Sequence, residues 1–160
     1  MSEIFKALVG AASKAGLTVS ALESCTGGHF ADSVTCVSGS SEMFVGSVVT
    51  YSDAAKISAG VSAGVIEKYG VYSQETARAM AAAARGFFNT DIGVGITGTI
   101  GRADPLHEDS VPGEVHFSIA SKNAMIAETI EGVPGEREAG KEAVCARIAR
   151  ALLKIIEEVE

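Results

Sequence analysis

The stretch Leu17-Thr18-Val19-Ser20-Ala21-Leu22-Glu23-Ser24-Cys25-Thr26-Gly27-Gly28 decides how the chain is read. Residues 17–22 have the pattern of a short strand, Thr18 and Ser20 alternating with Val19 and Ala21. A Ser-Cys-Thr-Gly-Gly turn follows at once. Beyond it Phe30, Val34 and Val37 fall at helical spacing, ending near Ser38-Gly39-Ser40-Ser41. A strand running through a tight turn into a helix is the unit of layered α/β domains. Such a turn exposes its side chains at the carboxyl edge of a sheet, where α/β ligand sites gather.

Outward from this unit the same grammar continues. Upstream, Ile4, Phe5, Leu8, Val9 and Ala12 form a helical stripe that Ser2 can cap and Gly16 stops. Downstream, residues 43–51 are rich in valine and read as a buried strand. Ser52 opens a short helix carrying Lys56, and Ser62 opens another that runs to Gly70. Ser73 caps a longer helix in which Ala77, Met80, Ala81, Ala84, Phe87 and Phe88 share a face. Residues 91–97 predict a strand with two glycines, so another element packs closely on its backbone. Residues 98–112 lack periodicity and form the longest loop. Residues 114–121 and 124–131 predict a hairpin around Lys122-Asn123, with Val115, Phe117 and Ile119 on one face. After a turn at 132–135, Val144, Ile148, Leu152, Ile155 and Val159 make a final amphipathic helix.

The order α-β-α-β-α-α-α-β-β-β-α predicts a three-layer α/β/α sandwich, with residues 1–160 forming one domain. The hairpin demands antiparallel pairing, so the sheet is mixed and a plain dinucleotide-binding fold does not fit. The patterns GxGxxG and GxxxxGK[ST] are read as absent, which removes the two commonest phosphate-loop readings.

Composition narrows the functional classes. A chain of 160 residues, 47% hydrophobic, can bury a full core without disulfides or metal. The formal charge of −7 argues against a broad grip on a nucleic acid polymer, which needs clustered Lys and Arg. It leaves open a small anionic substrate held by one or two residues. Cys25, Cys36 and Cys145 are odd in number and widely spaced, which is no disulfide framework and suits a reducing compartment. The start Met1-Ser2-Glu3-Ile4-Phe5-Lys6 lacks a signal-peptide pattern, and no apolar run is long enough for a bilayer. The cytoplasm, without membrane association, is the expected setting. Apolar faces on the alanine-rich helices leave a homo-oligomer open.

Two groups of residues could carry chemistry. At the motif turn, free N–H groups of the following helix can serve an oxyanion or a phosphate, and the glycines admit a ligand to the backbone. The same letters also suit an ordinary capped turn. The second group is Tyr51-Ser52-Asp53-Ala54-Ala55-Lys56, where a tyrosine ending a strand precedes a lysine by about one helical turn. A serine hydroxyl is a weak nucleophile until a base takes its proton. A lysine whose pKa is lowered by burial can be that base. Taken alone, Lys56 also fits a solvated surface position.

Around these residues the chain resembles the CinA C-terminal domain family, which includes the nicotinamide-nucleotide amidohydrolases. The resemblance rests on Glu23-Ser24-Cys25-Thr26-Gly27-Gly28, Gly39-Ser40-Ser41, Val49-Thr50-Tyr51-Ser52, Lys56, Gly60-Val61, Ser73, Met80-Ala81, Thr97-Gly98 and Gly135-Glu136-Arg137, and it runs from about residue 2 to 157. It implies hydrolysis of nicotinamide mononucleotide to nicotinate mononucleotide and ammonia, with no metal or organic cofactor. Ser24 is the implied nucleophile, and Lys56 with Tyr51 its activators. Cys25, Thr26, Gly27, Gly28, Thr97 and Gly98 are implied around the oxyanion or phosphate, and Arg137 as the phosphate grip. The separate N-terminal domain of longer relatives has no counterpart in these residues, so its activity is not expected here.

The departures cluster where a substrate pocket should be walled. A Thr-Gly-Ile-Ala-Gly-Pro segment of relatives reads Thr97-Gly98-Thr99-Ile100-Gly101-Arg102-Ala103-Asp104 here, a Lys-Pro-Val-Gly segment reads Ser110-Val111-Pro112-Gly113, and an Asn-Glu pair reads Asp53-Ala54. Two further readings follow: a nucleotide-binding module without turnover, and a hydrolase of another phosphorylated amide. Arg102 is a candidate for an added anion contact. Cys25 is an alternative nucleophile, and His107-Glu108-Asp109 with Asp104 an alternative cation loop, against the plainer reading of a solvated acidic loop. His29 and His116 look isolated, His116 facing out from its strand.

Overall fold

The computed structural model describes residues 2–158. Five strands form one sheet there in the order β2-β1-β3-β4-β5: β1 (Val19–Glu23), β2 (Phe44–Val49), β3 (Ile92–Gly98), β4 (Val115–Ala120) and β5 (Met125–Ile130). The first three are mutually parallel and the β4–β5 hairpin joins antiparallel on β3, so the sheet is mixed as expected. Helices α1 (Ser2–Ala15), α2 (His29–Thr35) and α6 (Arg137–Glu157) cover one face. Helices α3 (Asp53–Ser58), α4 (Ala63–Tyr69) and α5 (Gln74–Phe88) lie on the other. Among the described residues, a single 3-10 turn at Ser40–Glu42 is the only addition to the expected order.

The larger core joins α1, α2 and α6 to the sheet through Phe5, Leu8, Phe30, Phe117, Ile148 and Leu152. Phe30 meets Phe5 and Phe44 edge to face, with ring centroids 6.1 and 6.3 Å apart. On the opposite face Leu22, Val61, Met80 and Ala84 pack beneath α5. The helix capped by Ser73, whose hydroxyl accepts the Thr76 N–H, presses onto β3 where Gly93 and Gly95 leave room. A Cβ at Gly95 would sit 2.2 Å from the Ala77 carbonyl oxygen, and one at Gly93 2.2 Å from that of Ala81. These glycines permit backbone-to-backbone approach, which explains the glycine-containing strand. The letters Gly93-Val94-Gly95-Ile96-Thr97-Gly98 do spell GxGxxG, but they lie inside a strand that leads into a loop, and so make no phosphate turn.

Several expectations need correction. The valine-rich strand is half-exposed because it is β2, at the edge of the sheet. On α5, Ala77, Met80, Ala81 and Ala84 are buried, but Phe87 is 61% exposed and Phe88 lies half-buried between the Phe87 ring and the edge glycine Gly46. His116 does not face solvent: β4 is interior, and the ring is buried between Thr129 Oγ1 at 2.9 Å and Glu114 Oε1 at 3.0 Å. In α6, Ile156 fills the core while Ile155 is half-buried. The Ser2 cap and the Val159 position fall outside the described side chains. No helix among the described residues is long and apolar enough to cross a membrane.

Candidate active site

Strand register sets the site. Glu23 pairs with Val49 on one side and Ile96 on the other, so β1 and β2 end level and β3 runs two residues further in the same direction. Ser24, the segment 50–56 and Gly98 at the end of β3 therefore gather at one carboxyl edge. Two bonds continue the ladder past the strands, from the Thr50 N–H to the Glu23 carbonyl (2.7 Å) and from the Ser24 N–H to the Ile96 carbonyl (3.1 Å).

Side-chain alternation then divides the motif. Val19 and Ala21 face the α2–α6 layer, and Glu23 follows them to the N-terminus of α2. There its fully buried carboxylate accepts Thr26 Oγ1 (2.7 Å), the N–H groups of Gly28 and Phe30 (both 3.1 Å) and of Ala31 (3.0 Å), and Ser47 Oγ (2.9 Å). Gly28 is left-handed (φ 95°) with no side chain to cap the helix, so Glu23 does that work. Ser24 has the opposite parity and points to the layer that contains α3.

Ser52 caps α3 by accepting the Ala55 N–H at 3.1 Å, and one turn later the helix delivers Lys56. Its side chain is 1% exposed. The Lys56 Nζ donates to Ser24 Oγ at 3.1 Å and to the Thr50 carbonyl at 2.9 Å. Burial pushes the Lys56 pKa below the ordinary lysine value; Asp53 and then Cys25 act in the opposite sense but do not cancel it. Thr50 fixes the amine, and burial raises its neutral fraction.

The pair opens onto a pocket of about 1190 Å³. Of the residues expected at the site, Ser24, Cys25, Tyr51, Lys56, Gly98 and Arg137 line it. Thr26, Gly27, Gly28 and Thr97 do not. Thr26 is buried on Glu23, the Gly27 N–H closes a turn on the Ser24 carbonyl, the Gly28 N–H is taken by Glu23, and Thr97 Oγ1 donates to the Val71 carbonyl. No backbone carbonyl takes the N–H groups of Cys25 and Thr26 among the described residues, and the Cys25 N–H faces its own thiol. Among the described residues Tyr51 shares no hydrogen bond with Ser24 or Lys56. It is 64% exposed, and its hydroxyl accepts a bond from Arg137 Nη2 at 3.2 Å. Arg137 Nη1 donates to the Ile100 carbonyl at 3.0 Å, which ties the start of α6 to the 99–114 loop. Burial raises the Cys25 thiol to about 12, so the group beside Ser24 stays protonated and a poor nucleophile.

The expected solvated acidic loop is instead a clasp. His107 Nδ1 lies 2.7 Å from Asp104 Oδ2 and its Nε2 lies 3.2 Å from Asp53 Oδ2. The Tyr72 hydroxyl donates to the same Asp104 oxygen at 2.5 Å, and its ring meets His107 edge to face. Sequence reasoning missed this group and the capping role of Glu23. The departure at Asp53 was the one signal pointing toward it.

Fold and site together define a class: three-layer α/β/α domains with a buried serine–lysine pair at the carboxyl edge of a mixed sheet. The CinA C-terminal domain profile matches residues 1–158, and the chain belongs to that family. A CinA-like protein of Prochlorococcus marinus is 36% identical over 95% of this chain and 35% of its own length. One from Koribacter versatilis is 42% identical over 76% of this chain and 29% of its own. The chain thus spans about a third of the length of the curated relatives it matches. Among solved structures, a CinA superfamily protein from Klebsiella pneumoniae superposes with a TM-score of 0.91 at 23% identity, covering 98% of both chains. A competence/damage inducible protein from Agrobacterium tumefaciens gives 0.89 at 26% identity, covering 96% of this chain and 93% of its own.

Proposed function

We propose that the domain is a serine–lysine amidohydrolase that converts nicotinamide mononucleotide to nicotinate mononucleotide and ammonia. The observation that carries this reading is the 3.1 Å contact between Lys56 Nζ and Ser24 Oγ at the floor of a roomy pocket. In the reactive form the neutral amine, still donating to Thr50, takes the serine proton as Oγ attacks the carboxamide carbon. The N–H groups of Cys25 and Thr26, which no backbone carbonyl takes among the described residues, are the donors available to the developing oxyanion. The proton held on Lys56 passes to the departing nitrogen, ammonia leaves, and water cleaves the ester to release the acid. Arg137, with spare guanidinium N–H groups beside the pocket, fits the substrate phosphate, and Arg102, on the loop that Arg137 braces through Ile100, is a second contact. Tyr51 then acts by orienting Arg137, with no part in proton transfer.

Ammonia release from nicotinamide mononucleotide, measured for the wild type and Ser24→Ala, tests this. A loss of ~10³-fold or more in the variant is expected. Equal rates would remove Ser24 from the chemistry. Turnover of another phosphorylated amide in preference to this one would keep the mechanism and replace the substrate.

A further inference from the structure

The His107 clasp joins the pocket's loop wall to the helix that carries the lysine. Each ring nitrogen faces a carboxylate oxygen, Asp104 at 2.7 Å and Asp53 at 3.2 Å. Asp104 is held ionised, its pKa near 2, first by the Tyr72 hydroxyl, then by the Leu106 N–H and His107. A carboxylate only accepts hydrogen bonds, so satisfying both sides requires both ring nitrogens to donate, and the ring to be an imidazolium. Burial disfavours that charge, but the bonds to Asp104 and Asp53 outweigh it and raise the His107 pKa. Asp53 stands in the first turn of α3, three residues before Lys56, and its negative charge favours the protonated amine. Left unopposed, it would work against a neutral base.

We propose that His107 is a positioning residue for the Ser24–Lys56 pair: its imidazolium, anchored on Asp104 and Tyr72 across the pocket, holds and offsets the Asp53 carboxylate so that Lys56 can reach its neutral form. This rests on the serine–lysine reading above. Among the described residues, the charged and titratable groups facing the clasp are Asp53 from α3, Asp104 from the loop, Tyr72 from the segment between α4 and α5, and Tyr51 after β2, which acts on Tyr72; Cys25 and Asp53 face Lys56.

The test follows the Lys56 titration directly by NMR of protein carrying 13C at the lysine ε position, with Lys56→Met to assign the signal. It needs no substrate, so failure of the amidohydrolase reading and failure of this inference are separable. His107→Gln should raise the Lys56 midpoint, leaving about three- to tenfold less neutral amine at a given pH below it. Asp53→Asn alone should lower the midpoint. The double variant should return it to or below the wild-type position, a rescue that a merely structural role for His107 would not give. Where hydrolysis is measurable, the pH–rate profile should move with the titration. An unmoved midpoint in His107→Gln, or one still raised in the double variant, overturns the proposal. Should His107→Gln fail to fold, an unchanged midpoint in Asp53→Asn overturns it equally.

Discussion

Replacing Glu23 by Gln removes one charge and turns one carboxylate oxygen into an amide nitrogen, yet it should cost a large share of the fold's stability. The two carboxylate oxygens serve five donors, three of them backbone N–H groups of the α2 start that cannot turn away. With the amide nitrogen at the Oε1 position, the Ala31 N–H faces a donor and is left buried without a partner, at about 1–3 kcal/mol. With it at the other position, Gly28 and Phe30 are both stranded, which is worse. The surviving bonds also lose charge assistance, each weakening by roughly 0.5–1 kcal/mol. The helix N-terminus loses a favourable anion as well. Together these give about 3–5 kcal/mol, against a total of about 5–15 kcal/mol for a domain of ordinary stability. Urea unfolding measures it, and the thermal midpoint should drop by about 6–20 °C. A loss under about 1 kcal/mol with unchanged unfolding cooperativity would refute the idea that this carboxylate organises the motif turn.

Other outcomes are as definite. Gly95→Ala should destabilise by about 1–3 kcal/mol or more because its Cβ meets the Ala77 carbonyl, whereas Gly10→Ala, with open space around it in α1, should stabilise by up to about 1 kcal/mol; paired thermal melts decide. Because the folded Lys56 pKa lies below the ordinary 10.5, its contribution to stability should rise with pH from that lowered value up to 10.5, while the buried Cys25 thiol, raised from 9.0 to about 12, takes stability away above 9.0; the stability of the wild type relative to Lys56→Met should therefore climb across the Lys56 window in paired unfolding measurements. His107 has the opposite sign: its raised pKa gives stability that is complete below 6.5 and fades as pH climbs through the folded value. Hydrogen exchange in the 99–114 loop, corrected for its intrinsic pH dependence, should accelerate there.

The element order and the mixed sheet were legible because each helix and strand declares itself locally, through capping serines at 52 and 73, apolar period, and glycine stops at 16 and 70. Strand order was not. Whether a valine-rich run is central or at an edge depends on its neighbours in the sheet, and so β2 was expected to be buried. The interior position of β4 hid the burial of His116 for the same reason. That residues 24 and 56 meet depends on β1 and β2 pairing in parallel and ending level, which no local pattern declares. Glu23 and His107 were invisible in their roles: the first reaches Ser47 across a strand pairing and the second reaches Asp53 from 54 residues away. Contacts of that kind arise from tertiary packing and leave no periodic trace.

Rapid acid quenching of the domain during turnover of nicotinamide mononucleotide, followed by intact-mass and peptide mapping, goes straight to the catalytic step. An ester adduct confined to Ser24, missing in Ser24→Ala and accumulating less in Lys56→Met, is the expected result. An adduct on Cys25, or undiminished turnover by Ser24→Ala with no adduct at all, would contradict the account.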